Sequence, residues 1–408
     1  MKKTLALMLL ISTTFFSMNI NDFSEEEMIK YAEKNKFTGI YKPLYPNGNP
    51  ESIVNFKNGK ASGKVIKYFE DGALFEESSY KNGLLDGTYK SYYINGNLKV
   101  LGFYKNNIKD GLETVYYEDG VSKKSETSYA SGKKVGVEKL YFRNGNISQE
   151  SIYVNNMLNG EEKNYYENGN IKEIHEYTNN VENGVAKLYY ENGILRWTVP
   201  VKNGMANGTG HLYHSNGILE EEGNYKNDLE DGIFNSYSDS GTLISTFNYK
   251  NGLLEGEKTY YYPNGEIQGK EFYTKGLING ESYSYYNNGI IKEISNYKNN
   301  LKDGISTWYY ENGKKQVEEV YNNGKLNGKA TFFYENEKEK QIVFYENGQI
   351  NGQYEIYYEN GNIYETGIFS KGIRNGQVLI YNIDGSIREI QTWDNGLLVQ
   401  SVLLENNS

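Results

Sequence analysis

Glycine recurs every 24 residues along almost the whole chain, and no other feature constrains the fold as tightly. It falls at Gly48, Gly72, Gly96 and Gly120, then at Gly145, Gly169, Gly193, Gly217, Gly241, Gly265, Gly289 and Gly313; after Glu337 it resumes at Gly361 and Gly385. The step departs from 24 once, between Gly120 and Gly145. A fixed period of this size marks a stacked array whose units touch mainly their neighbours. Such an array offers surface more readily than an enclosed catalytic pocket.

A well-formed unit reads GTYKSYYINGNLKVLGFYKNNIKDG, from Gly87 to Gly111. Two runs rich in Tyr, Thr and aliphatic residues are broken by Asn-Gly, the strongest short hairpin signal, because a type I′ turn needs positive φ at both central residues. That turn is expected at Asn95-Gly96. A second, longer turn follows the pattern KNGLLDG, and its closing glycine recurs at Gly63, Gly87, Gly111, Gly136 and Gly160 and onward to Gly376. Turn glycines such as Gly72, Gly87, Gly96, Gly111, Gly169, Gly193, Gly265 and Gly289 mark backbone that other residues fill at a cost. The expected fold is all-β: an elongated, twisted antiparallel meander of about fourteen to fifteen hairpin repeats over 39–404.

Pairing the residues around Asn95-Gly96 sets Tyr93 opposite Leu98 and Tyr89 opposite Gly102. Alternation then places Tyr89, Tyr93, Leu98 and Tyr104 on a packed face and Tyr92, Lys90, Lys99 and Phe103 on the other. The second face carries a row of tyrosines: Tyr92, Tyr116, Tyr141, Tyr165, Tyr189, Tyr213, Tyr237, Tyr261, Tyr285, Tyr309, Tyr357 and Tyr381. Tyr suits a half-wet surface, since the ring covers area while the hydroxyl reaches water. The row, with Trp197, is the candidate binding surface; the alternative is that the rings only shield the sheet.

Before the array, MKKTLALMLLISTTFFSMNI sets two lysines ahead of a short apolar run, the layout of a signal peptide over 1–20. A short capping helix follows over 21–38, with Ser24 and Glu27 as its capping box. Residues 405–408 form a polar tail. The leader predicts export to the periplasm, the outer surface or the medium.

The chain carries a net charge of −10, which argues against nucleic acid and against direct binding to anionic membranes. It holds 41 Tyr and no Cys, which removes disulfides, thiol chemistry and Cys-ligated zinc. HLYH sets His211 and His214 at odd spacing, a poor metal pair on a strand. No catalytic, cofactor or metal motif is found, and the chain reads as non-enzymatic. Three departures from the repeat stand out: the extra residue after Gly120, expected as a bulge or longer loop; Glu337, within a charged loop; and the divergent stretch Arg196–Ser245, where Pro200 is expected to bend or open the sheet.

The consensus Y-Y-x-N-G-x-(L/I)-x-x-E-x-x-Y-x-N-G-x-L-x-G, seen well in YYENGNIKEIHEYTNNVENG at Tyr165–Gly184, resembles the MORN-repeat variant of bacterial proteins. The resemblance implies a binding or scaffolding role with no shared catalytic motif. Its members include antitoxin components of toxin–antitoxin systems and exported or surface repeat proteins with proposed adhesion or invasion roles. The leading expectation is an exported protein that presents its Tyr-rich surface to a protein or glycan. An antitoxin or immunity protein that neutralises a partner by stoichiometric binding is the second. A scaffold that self-associates through the apolar last strand, LLVQSVLL, is the third.

Overall fold

A computed structural model describes residues 19–404. The expected leader and polar tail lie almost wholly outside the described residues. The chain divides into two compact units. One runs to Gly184 and includes Glu191–Gly193; the other takes Val185–Tyr190 and everything from Ile194. Within each, strands pair antiparallel with their chain neighbours, as a meander of hairpins.

The first unit opens with a short 3-10 turn, Ile20–Asp22, and helix α1, Glu25–Asn35. Ser24 and Glu27 cap α1 reciprocally: the Ser24 hydroxyl accepts from the Glu27 N–H, and the Glu27 carboxylate accepts from the Ser24 N–H at 2.9 Å. Met28 and Ala32 are fully buried against Tyr41 and Phe56. The Tyr41 hydroxyl donates to the Phe23 carbonyl at 2.6 Å. Gly59, in the turn between Lys57 and Lys60, allows close approach, since a Cβ there would meet the Ala32 carbonyl oxygen at 2.8 Å.

Two different turns alternate, and they exchange the roles expected of them. The type I′ turns are at Asn82-Gly83, with φ of 56° and 84°, and its equivalents such as Asn251-Gly252. Asn95-Gly96 belongs instead to a three-residue loop. There the Tyr93 N–H donates to the Asn97 carbonyl at 2.8 Å, the Gly96 N–H donates to the Tyr93 carbonyl at 2.9 Å, and only the glycine is left-handed, at φ 82°. The Asn95 side chain accepts from the Asn97 N–H and so competes for the local backbone, which is why Asn-Gly alone did not separate the two turns.

This loop shifts the register by one residue. Tyr92, not Tyr93, faces Leu98, and Lys99 is the extra residue before Ser91 meets Val100. Beyond it Tyr89 faces Gly102, as expected. A second irregularity lies near the other turn. Pairing passes from Tyr104 with Lys109 to Leu101 with Thr114, so residues 110–113 face only 102 and 103. Gly111 sits in this double bulge at φ 128°, and a Cβ on it would lie 3.0 Å from the Cβ of Phe103. Every closing glycine from Gly63 to Gly376 shares the positive φ, which is why glycine recurs there.

The departures are absorbed locally. The extra residue lengthens one loop, in which the Tyr117 N–H donates to the Ser122 carbonyl at 2.9 Å and Val121 stands 82 % exposed. Pro200 does not open the sheet in the second unit. It falls opposite the double bulge at Gly208, with Thr198–His211 and Val201–Ala206 paired on either side, where a missing N–H costs least. Glu337 keeps the turn it interrupts in sequence: its N–H donates to the Tyr334 carbonyl at 2.9 Å while its backbone is held left-handed at φ 69°. A non-glycine residue pays for that conformation. Glu337→Gly is therefore expected to stabilise the loop by about 0.5–1 kcal/mol. Amide exchange across residues 334–338 should slow by roughly two- to fivefold; unchanged exchange would show that the turn is unstrained.

Candidate functional site

Each hairpin presents two unlike faces. On the packed face, alternation collects the positions of Tyr89, Ser91, Val100, Gly102 and Tyr104. Large residues face glycines on the paired strand: Tyr89 faces Gly102 in the first unit, and in the second the rings of Phe234 and Tyr354 lie over Gly223 and Gly367. A Cβ on Gly223 would come within 2.1 Å of the Phe234 ring. The repeating ring at the Tyr104 position is covered by cations from the same face. Lys109 Nζ lies 4.8 Å from the Tyr129 ring centre, and Lys134 Nζ lies 4.8 Å from that of Tyr153. Carboxylates on this face are tied down, as where Glu365, 7 % exposed, accepts from Arg374 at 2.6 Å and from Tyr354 at 2.5 Å.

The opposite face carries the tyrosine row, and all of its members are half-buried. Successive members are two strands apart, about 10 Å. Several of their hydroxyls are held by glutamates on the preceding strand, and that of Tyr357 by Glu355 on its own strand. Tyr92 donates to Glu77 at 3.2 Å and Tyr165 to Glu150 at 2.7 Å, with Tyr141 bonded likewise to Glu126. In the second unit Tyr237 donates to Glu222 at 2.9 Å. Lysines on the same face complete the pattern, with Lys139 Nζ 3.2 Å from Glu150 and Lys64 paired to Glu77. Apolar side chains stand exposed beside the row: Phe103 (41 %) and Leu112 (43 %) in the first unit, Ile305, Phe344 and Ile368 in the second.

Trp197 does not belong with the row. Its register partner is Leu212, and it shares its face with fully buried Val199. The face assignment of Tyr93 also changes. It leaves the ladder at the three-residue loop, and its hydroxyl donates to the Tyr116 backbone carbonyl of the next repeat at 2.8 Å. Tyr117, and in the second unit Tyr262, Tyr286 and Tyr310, make the same bond to the repeat that follows. These tyrosines staple one repeat to the next. The Tyr-Tyr doublets of the sequence are thus two rows with different tasks, one on the sheet face and one at its end. His214 takes the staple position, with Nε2 3.1 Å from the Tyr237 carbonyl, while His211 stays in the ladder opposite Glu222. The two histidines are therefore separated in structure as well as in parity.

A cavity of about 470 Å³ lies between α1 and the first hairpins, lined by Ile29, Val54, Phe56, Val65, Tyr80 and Leu84. No member of the tyrosine row lines it. Among the described residues no cluster of three or more His, Asp or Glu side chains is arranged to hold a metal ion, and no helix is long and apolar enough to cross a membrane.

The geometry defines a class, the all-β array of stapled hairpin repeats. The model of the MORN repeat variant family matches twelve segments: 37–58, 61–82, 85–106, 134–155, 158–179, 182–203, 207–227, 230–251, 254–275, 278–299, 302–323 and 350–371. The chain belongs to that family. Two of the stretches between matched segments contain the lengthened loop after Gly120 and the turn at Glu337. No curated protein sequence matches the chain. Similar solved structures include a TcdB2-TccC3-Cdc42 complex (10 % identity, 87 % of this chain and 24 % of that chain, TM-score 0.15). TcdB2-TccC3 is comparable (9 %, 92 % and 28 %, TM-score 0.16). So is a Photorhabdus luminescens Tc holotoxin pore carrying TccC3-D651A (11 %, 90 % and 26 %, TM-score 0.16). This chain spans about a quarter of the length of those chains. The likeness is too slight to bear on its fold or function.

The tyrosine–glutamate pairs set a pH dependence. Bonding to Tyr165 and Lys139 holds Glu150 below the ordinary carboxylate range, and the Lys64 ion pair does the same for Glu77. For a depressed carboxylate the stabilisation is complete above the unfolded value, about 4.3, and is lost as pH falls through the folded one. Burial and then the carboxylate bond push the tyrosines up, Tyr260 on the packed face to about 12. Their contribution is complete below about 10 and is lost as pH rises toward the folded value. The melting temperature is expected to be level between roughly pH 5 and 10 and to fall on both sides. The variant Tyr165→Phe should flatten part of the acid limb; an identical limb would show that the pair contributes nothing.

Proposed function

We propose that the chain is a non-enzymatic, exported binding protein whose tyrosine-bearing sheet face engages a protein or glycan at the cell envelope or a host surface. The observation that carries the reading is the composition of that face. Half-buried tyrosine rings, several of them fixed through their hydroxyls, alternate with Lys and Glu and stand beside exposed Phe103, Leu112, Phe344 and Ile368. Rigid aromatic area with a polar surround is what recognition surfaces use, because fixing the rings beforehand lowers the entropy lost on binding. The acidic charge directs the reading away from nucleic acid and anionic lipid. The leader supplies the route of export.

Two measurements test this. Cell fractionation with surface protease accessibility and the intact mass of the mature N terminus should find a processed, accessible protein; a full-length cytoplasmic form would overturn export. Labelled chain should bind intact envelope or host cells. The double variant Phe103→Ser with Leu112→Ser should weaken that binding about tenfold or more while the melting temperature stays within about 2 °C, because both side chains are exposed. Unchanged binding would remove this part of the face from the site.

A further inference from the structure

The last strand breaks the rule that every other hairpin obeys. The bulge position is glycine fourteen times, from Gly63 to Gly376, and each of those glycines has positive φ. At the next recurrence the residue is Gln400, which remains extended within one unbroken strand, Leu397–Leu403. The residue before the bulge is mostly Asn or Asp, as at Asp86, Asp110 and Asn375; here it is Val399. The irregularity shrinks accordingly. Where residues 86–88 face only Ser79, the last hairpin passes from Thr392 with Gln400 to Trp393 with Leu398, leaving Val399 as the single extra residue.

Bulges, charges and prolines are the devices that keep sheet edges from pairing. Leu397–Leu403 has no charge and no proline, and its bulge has shrunk from two extra residues to one. All seven of its residues are exposed, Leu397 at 73 %, Val399 at 64 % and Leu403 at 72 %. Among the described residues only the preceding strand pairs with it. The Leu404 N–H points inward, to the Arg388 carbonyl at 2.9 Å, so alternation turns the backbone groups of Ser401 and Leu403 outward. The other end of the array is different: its first strand, Gly39–Tyr41, has three residues and packs under α1.

We propose that a second copy of the chain pairs with this edge, antiparallel, about a two-fold axis through Gln400. The sequence L-L-V-Q-S-V-L is close to self-complementary about that residue. The axis sets Leu397 against Leu403, Leu398 against Val402, Val399 against Ser401, and Gln400 against its own copy. No like charges meet, although the chain carries −10 overall. An isologous pairing of this kind closes on itself, so it yields a dimer and leaves no further edge of the same kind. The inference stands apart from the binding face and survives its failure.

Sedimentation of the purified chain should show a dimer at roughly 10 μM. Ser401→Pro with Leu403→Lys removes an outward N–H and adds a charge, and should give a monomer with the same circular dichroism. Because the chain has no cysteine, cross-linking reports the register directly. Oxidised Gln400→Cys should form a covalent dimer, since residues on the axis lie about 5 Å apart. Leu397→Cys should not, since its two copies lie about 20 Å apart. A monomer at roughly 100 μM would overturn the proposal. So would a dimer that persists in the double variant, or cross-linking of Leu397→Cys as efficient as that of Gln400→Cys.

Discussion

The rest of the structure depends on left-handed backbone at fixed intervals. Each repeat must reverse direction twice and slip its register near each reversal, and both operations need residues at positive φ. Glycine, with Asn beside it, supplies them at little steric cost. Once these positions are set 24 residues apart, the strands between them can only pair with their neighbours. At Gly111 the bulge also brings the backbone close to Phe103, leaving little room for a Cβ.

On that frame the two faces divide the tyrosines by environment. Rings at the Tyr104 position are covered by Lys and Arg from the preceding hairpin and by neighbouring aromatics, so they serve packing. Rings at the Tyr92 position remain half in water, and several of them bond a glutamate. Rings at the Tyr93 position leave the sheet and bond the following repeat through its backbone carbonyl. A backbone acceptor exists whatever side chain the next repeat carries, which is why the staple tolerates divergent repeats and why His214 can replace a tyrosine there. Cohesion between repeats is thereby separated from the identity of the exposed side chains, and the exposed face is free to vary.

Much of this was legible in the sequence. The glycine period gave the hairpin array, alternation placed Tyr89 opposite Gly102, and Ser24 with Glu27 marked the start of α1. What misled was local. Asn-Gly occurs at both turns, but only in the context of Asn82-Gly83 are both residues left-handed; at Asn95-Gly96 the Asn side chain satisfies the backbone itself. That one difference moved Tyr93 off the packed face. The double bulge was hidden because bulges count residues on one strand against those on another, and a single sequence shows only their sum. Trp197 stands out in sequence as part of the divergent stretch around Pro200, while its register places it on the packed face beside Val199. Pro200 is accommodated because it faces the bulge at Gly208, a pairing that spacing within one strand does not reveal.

The central claim is that stability is local, carried by staples and ladders between adjacent repeats. Its most direct test is an in-register deletion of one internal unit, residues 265–288, joining Asn264 to Gly289. The shortened chain should keep its β-sheet circular dichroism, unfold at nearly the same denaturant midpoint, and lose about one fifteenth of the surface exposed on unfolding. Loss of all ordered structure on removal of that single unit would contradict the account.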